Sequence, residues 1–189
     1  MFIALTGTPG TGKTSITSII SDRLDIKLIN LHQYAKEHGL ICDFDQLRNS
    51  DIIDIEKIDE MIKMQYKDEP LVLLDGHIAH LLHCVSEVIV LRCDPRILLD
   101  RLKMRNWSEK KIKENIEAEI LDVILCEAIQ IHTPDDVSEI DTSSHTQKEI
   151  ADAIILMISS NFKNKKQYSP GLIDWSEMLF SDEFDWRNF

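Results

Sequence analysis

The sequence predicts an α/β domain built on a five-stranded parallel sheet with helices on both faces, and three observations carry that expectation. Short apolar runs alternate with stretches of helical periodicity over the first 160 residues. The runs Leu71 to Leu74 and Val85 to Leu91 are almost continuously apolar, as strands must be when helices cover both sheet faces. A glycine-rich turn at residues 7–14 sits between the first run and the first helical stretch, where a strand–loop–helix unit places it.

Phe2 to Leu5 reads as the first strand, and Lys13 to Leu24 as a helix with Ile16, Ile19, Ile20 and Leu24 on one face. Lys27 to Leu31 is a second strand. The polar, mixed sequence that follows to about Ile55 reads as an inserted, mobile element, and Glu56 to Lys67 as a helix. Pro70 opens a third strand, Leu71 to Asp75, and Val85 to Leu91 is the fourth. Asp94-Pro95 starts a helix to about Arg105, and Ser108 can cap another extending to about Ile131. A fifth strand, Val137 to Asp141, and a helix from about Thr146 to Ser160 complete the alternation. The expected organisation is one domain over residues 1–160 and an aromatic-rich extension over 161–189. Phe162, Tyr168, Trp175, Phe180, Phe184, Trp186 and Phe189 fall in that last stretch, whose composition suits packing on the domain rather than a solvated linker.

Charge and composition exclude several classes. With 33 acidic against 21 basic residues in 189, the net charge of −12 disfavours bulk attraction to nucleic acid and to anionic lipid, so no direct sequence-specific nucleic-acid binding is expected. Four-residue apolar runs are far short of the ~20 residues a membrane span needs. Residues 1–6 lack a charged leader or cleavage site, which predicts a cytoplasmic protein. Cys42, Cys84, Cys93 and Cys126 form no C-x-x-C pair and read as reduced, small core residues.

Gly7-Thr8-Pro9-Gly10-Thr11-Gly12-Lys13-Thr14 satisfies G-x-x-x-x-G-K-[ST], the phosphate loop of P-loop NTPases. Glycines such as Gly10 and Gly12 let successive backbone N–H groups turn toward a phosphate chain, and the following helix adds the positive end of its dipole near Ser15. In this pattern Lys13 reaches the terminal phosphates of ATP and the Thr14 hydroxyl faces Mg²⁺. Asp75, ending an apolar strand, is the expected second residue of the Mg²⁺ site, and His77 a group to orient water or relay a proton. Arg101 and Arg105, four residues apart, are expected to project from one helix face toward a mobile helical lid, with Arg105 the better candidate to neutralise transferring phosphate. Arg92 is a further candidate. No Asn-Lys-x-Asp guanine-reading motif occurs.

The combination of Gly7 to Ser15, Asp75-Gly76-His77, the run Arg101 to Asn106 with Trp107-Ser108-Glu109-Lys110-Lys111, and Glu117-Ala118-Glu119-Ile120 resembles the adenylate kinase isoenzyme 6 family, in its archaeal form. The resemblance covers about residues 1–160. It implies a nucleoside monophosphate (NMP)-binding insertion at about residues 30–53 and a short lid at about residues 104–114. It also implies ATP:AMP phosphotransfer, intrinsic ATPase activity, and a role in small ribosomal subunit maturation through a platform ribosomal protein. By position, Gly10, Gly12, Lys13, Thr14 and Ser15 match the family's ATP contacts, Arg105 its lid arginine, and Asp75 with His77 its hydrolysis motif. Lys36 stands where eukaryotic members carry an arginine, and an ammonium cannot make arginine's bidentate phosphate contact. Two functions follow as expectations. One is an adenylate kinase-like phosphotransferase. The other is a nucleotide-switched assembly factor that binds a basic ribosomal protein through its acidic surface and resets by slow hydrolysis.

Overall fold

The computed structural model describes residues 1–46 and 50–180. Strand β1 (Phe2–Gly7) leads through the glycine loop into α1 (Lys13–Leu24), followed by β2 (Lys27–Asn30) and α2 (Leu31–Glu37). Strands β3 (Ile41–Asp45) and β4 (Ser50–Ile53) form an antiparallel hairpin. Next come α3 (Ile55–Gln65), β5 (Val72–Asp75), β6 (Glu87–Arg92), α4 (Pro95–Lys103), α5 (Glu109–Ile120), α6 (Val123–Ile131), β7 (Val137–Asp141) and α7 (Gln147–Ser159). The main sheet has five strands and is parallel throughout, as the sequence predicts, and its strand order is β2-β5-β1-β6-β7.

Alternation along the strands builds a core on each face. Ile3, Leu5, Leu73, Ile89 and Leu91 point to the side covered by α1 and α7, where Ile16, Ile20, Ile150 and Ile154 meet them. Ala4, Leu74, Val88 and Val90 point to the opposite side, against Leu31, Ile58, Ile62 and Ala128. Register brings the carboxyl ends of the strands together, with Leu5 and Asn30 each opposite Asp75, and Gly7 opposite Leu91. Ligands of open α/β sheets bind at this end.

Helix ends follow local chemistry. Asp94 caps α4 by accepting from Arg96 N with Pro95 at the first turn, and Thr146 and Glu149 form a reciprocal capping box on α7. The expected helix from Ser108 to Ile131 is two helices instead. Asp122 takes left-handed backbone (φ 55°) between α5 and α6 while its carboxylate pairs with Arg92, so a tertiary ion pair breaks a pattern that local periodicity would continue. The polar stretch after Leu31 is regular structure, α2 and the hairpin, with residues 47–49 outside the described set.

One further expectation needs correction. Of the four cysteines only Cys93 is buried. Cys84 is intermediate, and Cys42 and Cys126 are exposed because they face outward from β3 and α6; all four are free thiols. Residues 161–180 pack on the domain, as their aromatic composition suits. Phe162 is buried in the α1–α7 core and Tyr168 packs against it, while Met178 and Leu179 pack on the α4–α5 cluster. Phe180 is 85% exposed. Phe184, Trp186 and Phe189 lie outside the described residues. No described helix is long and apolar enough to cross a membrane.

The largest fully buried side chain belongs to Arg92, whose guanidinium contacts Glu119 at 2.8 Å, Glu139 at 2.5 Å and Asp122. Removing one member of such a set strands the others in a low-dielectric interior. Arg92→Leu is therefore expected to lower unfolding free energy by about 3–5 kcal/mol, read as an earlier urea midpoint.

Candidate nucleotide site

The loop between β1 and α1 is shaped by conformations that glycine alone adopts readily. Gly7 (φ 137°), Gly10 (φ 102°) and Gly12 (φ 98°) all have positive φ, and a Cβ on Gly7 would stand 2.3 Å from the Leu91 carbonyl oxygen. Inside the loop, Thr8 O accepts from Thr11 N at 3.2 Å and from Thr11 Oγ1 at 3.0 Å. Lys13 Nζ turns back onto the same loop, donating to Gly7 O at 2.7 Å and Thr8 O at 3.0 Å. Burial brings its ammonium down to about 8, partly offset by Asp75 and Glu119 and reinforced by Arg105. An anionic ligand would supply the charge this site lacks.

Asp75 ends β5 beside the loop and is buried. Its Oδ2 accepts from Thr14 Oγ1 at 3.1 Å and from Asn30 Nδ2 at 3.2 Å. A hydroxyl and a carboxylate this close are the donor set of a hard cation that keeps water and phosphate oxygens as its remaining ligands. Among the described residues no cluster of three or more His, Cys, Asp or Glu could cage a metal alone. Thr14 and Asp75 would fit Mg²⁺ as two of its oxygen ligands.

His77 meets solvent at the mouth of a cleft of about 1040 Å³ that the loop, Asp75, α2, the hairpin and the start of α5 line together. Crowding by the cleft walls first, and the cations Lys13 and Lys111 besides, pushes its imidazole down to about 4. It is neutral near pH 7. His80, from the same histidine-rich stretch, is a packed core group, its ring nitrogens 3.0 Å from Thr6 Oγ1 and 3.0 Å from Glu127 Oε2.

The two arginines expected on one face part company, because α4 ends at Lys103. Arg101 stays on the helix and donates to Gly10 O and Thr142 O, both at 3.3 Å, bracing the loop from outside. Arg105 lies past the helix end on the cleft wall, its guanidinium 5.2 Å from the Trp107 ring centroid, with Lys111 Nζ 4.8 Å from the same ring. Arg92 is corrected from site candidate to core residue. The structure thus gathers Gly10, Gly12, Lys13, Thr14, Ser15, Asp75, His77 and Arg105 around one cleft, and Lys36 lines it as well. Sequence reading missed Trp107 and Lys111 as wall residues. Trp107 precedes the α5 cap at Ser108, so its approach to Lys111 is set by how the chain enters the helix and not by helical spacing.

A family model described as "AAA domain" matches residues 3–122. The chain is 43% identical over 180 residues to the Methanocaldococcus jannaschii protein named "Putative adenylate kinase", covering 95% of this chain and 96% of that protein. Proteins of the same name from Archaeoglobus fulgidus and Pyrococcus abyssi are 42% and 40% identical, over 95% and 94% of this chain and 94% and 93% of theirs. The chain belongs to this adenylate kinase-like family. Among solved structures, shikimate kinase from Bacteroides thetaiotaomicron superposes with a TM-score of 0.56 at 17% identity, over 85% of this chain and 98% of that one. Shikimate kinase from Acinetobacter baumannii, in complex with shikimate, gives 0.56 at 18%, over 86% and 95%. These likenesses concern the α/β P-loop fold.

Gly7→Ala tests the loop geometry. Strained backbone and the Leu91 oxygen together should cost about 1–3 kcal/mol of stability or more, with loss of MgATP binding by calorimetry. A variant that melts and binds like the unaltered chain would contradict the close approach of β1 and β6.

Proposed function

We propose that this protein is an enzyme of the nucleoside monophosphate kinase type that transfers the γ-phosphoryl group of ATP to AMP, giving two ADP. The observation that carries the reading is the loop itself, with Lys13 folded back on its carbonyls and Thr14 joined to Asp75, opening into a cleft with room for a second nucleotide. Family membership with proteins named as adenylate kinases supports it.

In this reading Gly10, Gly12 and Ser15 present backbone N–H groups to the inner phosphates, and Lys13 leaves the loop carbonyls for the terminal ones. Thr14 and Asp75 would hold Mg²⁺, which supplies charge neutralisation across the phosphates when bound. Arg105 neutralises the transferring group from the cleft wall. Residues 30–53 serve as the acceptor insertion, with Lys36 toward the acceptor phosphate, and residues 104–114 serve as the lid.

A second reading rests on His77, neutral and open to solvent at the cleft, and on the net charge of −12. There the protein is a nucleotide-switched ATPase in small-subunit maturation, as the resemblance to adenylate kinase isoenzyme 6 implies. It binds a basic ribosomal protein, and His77 orients the hydrolytic water.

The two readings separate in one assay of ADP formation from ATP with and without AMP, followed by ³¹P resonance. AMP should stimulate turnover and acquire a second phosphate, while His77→Ala should impair AMP-free hydrolysis more than transfer. Indifference to AMP sinks the kinase reading. Lys13 adds a pH signature. The free protein loses that proton near pH 8 whereas a bound phosphate retains it, so nucleotide binding takes up a proton at higher pH. MgATP affinity should therefore be level near neutrality and fall above pH 8 by up to about tenfold per pH unit.

A further inference from the structure

One residue of the phosphate loop is tied to a part of the molecule remote from the cleft. Thr8 is buried, and its carbonyl accepts the hydrogen bonds from Thr11 and Lys13 that hold the loop's resting shape. Its hydroxyl donates to Glu119 Oε2 on α5. The other oxygen of Glu119 accepts from Arg92 Nε at 2.8 Å and Cys93 N at 3.0 Å. Arg92 continues to Glu139 at 2.5 Å. Glu139 Oε2 in turn accepts three successive backbone N–H groups of the C-terminal extension, from Gly171 at 2.9 Å, Leu172 at 3.1 Å and Ile173 at 3.4 Å. None of Glu119, Arg92 and Glu139 lines the cleft.

The chemistry makes this series coupled. Each link joins a charged group to its neighbour in the interior, where such bonds are strong and a missing partner is costly. A carboxylate deprived of the extension's N–H groups must draw more on Arg92, whose guanidinium it shares with Glu119. Any movement of Arg92 toward Glu139 releases Glu119, and with it the anchor of Thr8.

We propose that Thr8, Glu119, Arg92 and Glu139 form a relay of positioning residues through which the docked backbone at residues 171–173 holds the phosphate loop in its nucleotide-binding shape. The proposal rests on the loop being the nucleotide site. It makes the extension a clamp on that site, acting without contact with the ligand.

A double-mutant cycle in the full-length chain tests it, with the dissociation constant of MgATP as the readout. Leu172→Pro removes one extension N–H at an exposed side chain, and Thr8→Val removes the loop hydroxyl while keeping its shape. Each should weaken MgATP binding by about threefold to tenfold, and the pair should weaken it no more than the stronger single change. Thr8→Ser, which retains the hydroxyl, should restore the affinity. Losses that multiply in the double variant, or a folded Leu172→Pro protein that binds as tightly as the unaltered one, overturn the relay. If Leu172→Pro does not fold, Glu139→Gln replaces it in the same cycle with the same expected outcomes. An unaltered chain that fails to bind MgATP refutes the nucleotide reading itself, whereas tight binding indifferent to these variants refutes only the relay.

Discussion

A guanidinium cannot remain unpaired inside a protein, and the charge of Arg92 organises more of this fold than any single apolar contact. It ends β6 next to β7, and the three carboxylates around it come from α5, β7 and the two-residue turn between α5 and α6. Burial alone would pull a guanidinium toward neutrality, but the carboxylates more than offset it, while burial pushes the carboxyls of Glu139 and Asp122 upward against Arg92. Satisfying that one group fixes where α5 stops, keeps Asp122 in left-handed backbone, and leaves one oxygen of Glu139 for the extension to cover. Apolar burial gives this chain a core, whereas the buried charge selects one arrangement of helices around it.

The candidate site obeys a complementary electrostatic logic. The chain carries a net charge of −12, yet Lys13, Lys111 and Arg105 stand close enough on the cleft wall to perturb one another or His77. Like charges gathered on one wall repel one another, and a bound anion relieves that repulsion. The backbone contributes through its glycines, because positive φ at Gly7, Gly10 and Gly12 shapes the loop, and side chains at Gly7 and Gly10 would collide with Leu91 and with Leu98 of α4. Arg101 and Glu119 then brace that loop from opposite elements, so its shape does not depend on local sequence alone.

Legibility in the sequence followed the range of the forces involved. The five strands, α1, the caps at Asp94 and Ser108, the helix from about Thr146, and the loop motif are local matters of periodicity and backbone conformation, and each appears where residue pattern predicts it. That Arg101 braces the loop while Arg105 reaches the cleft was not legible, since it depends on α4 ending at Lys103 and on carbonyls of Gly10 and Thr142 brought in from other elements. The outward Cys42 and Cys126 were misread for a similar reason, as a residue type states a preference for burial and only the packing states which face is covered.

By itself the sequence determined the α/β alternation, the phosphate loop and the residues available to the cleft, because short-range sterics and hydrophobic spacing act within a few residues. The tertiary structure decided the break at Asp122, the burial of Phe162 in the domain core, and the pairing of Arg92 with carboxylates as many as 47 positions away. Those outcomes answer to the cost of an unpaired charge or an uncovered apolar face in the assembled interior, and that cost exists only after distant segments have met.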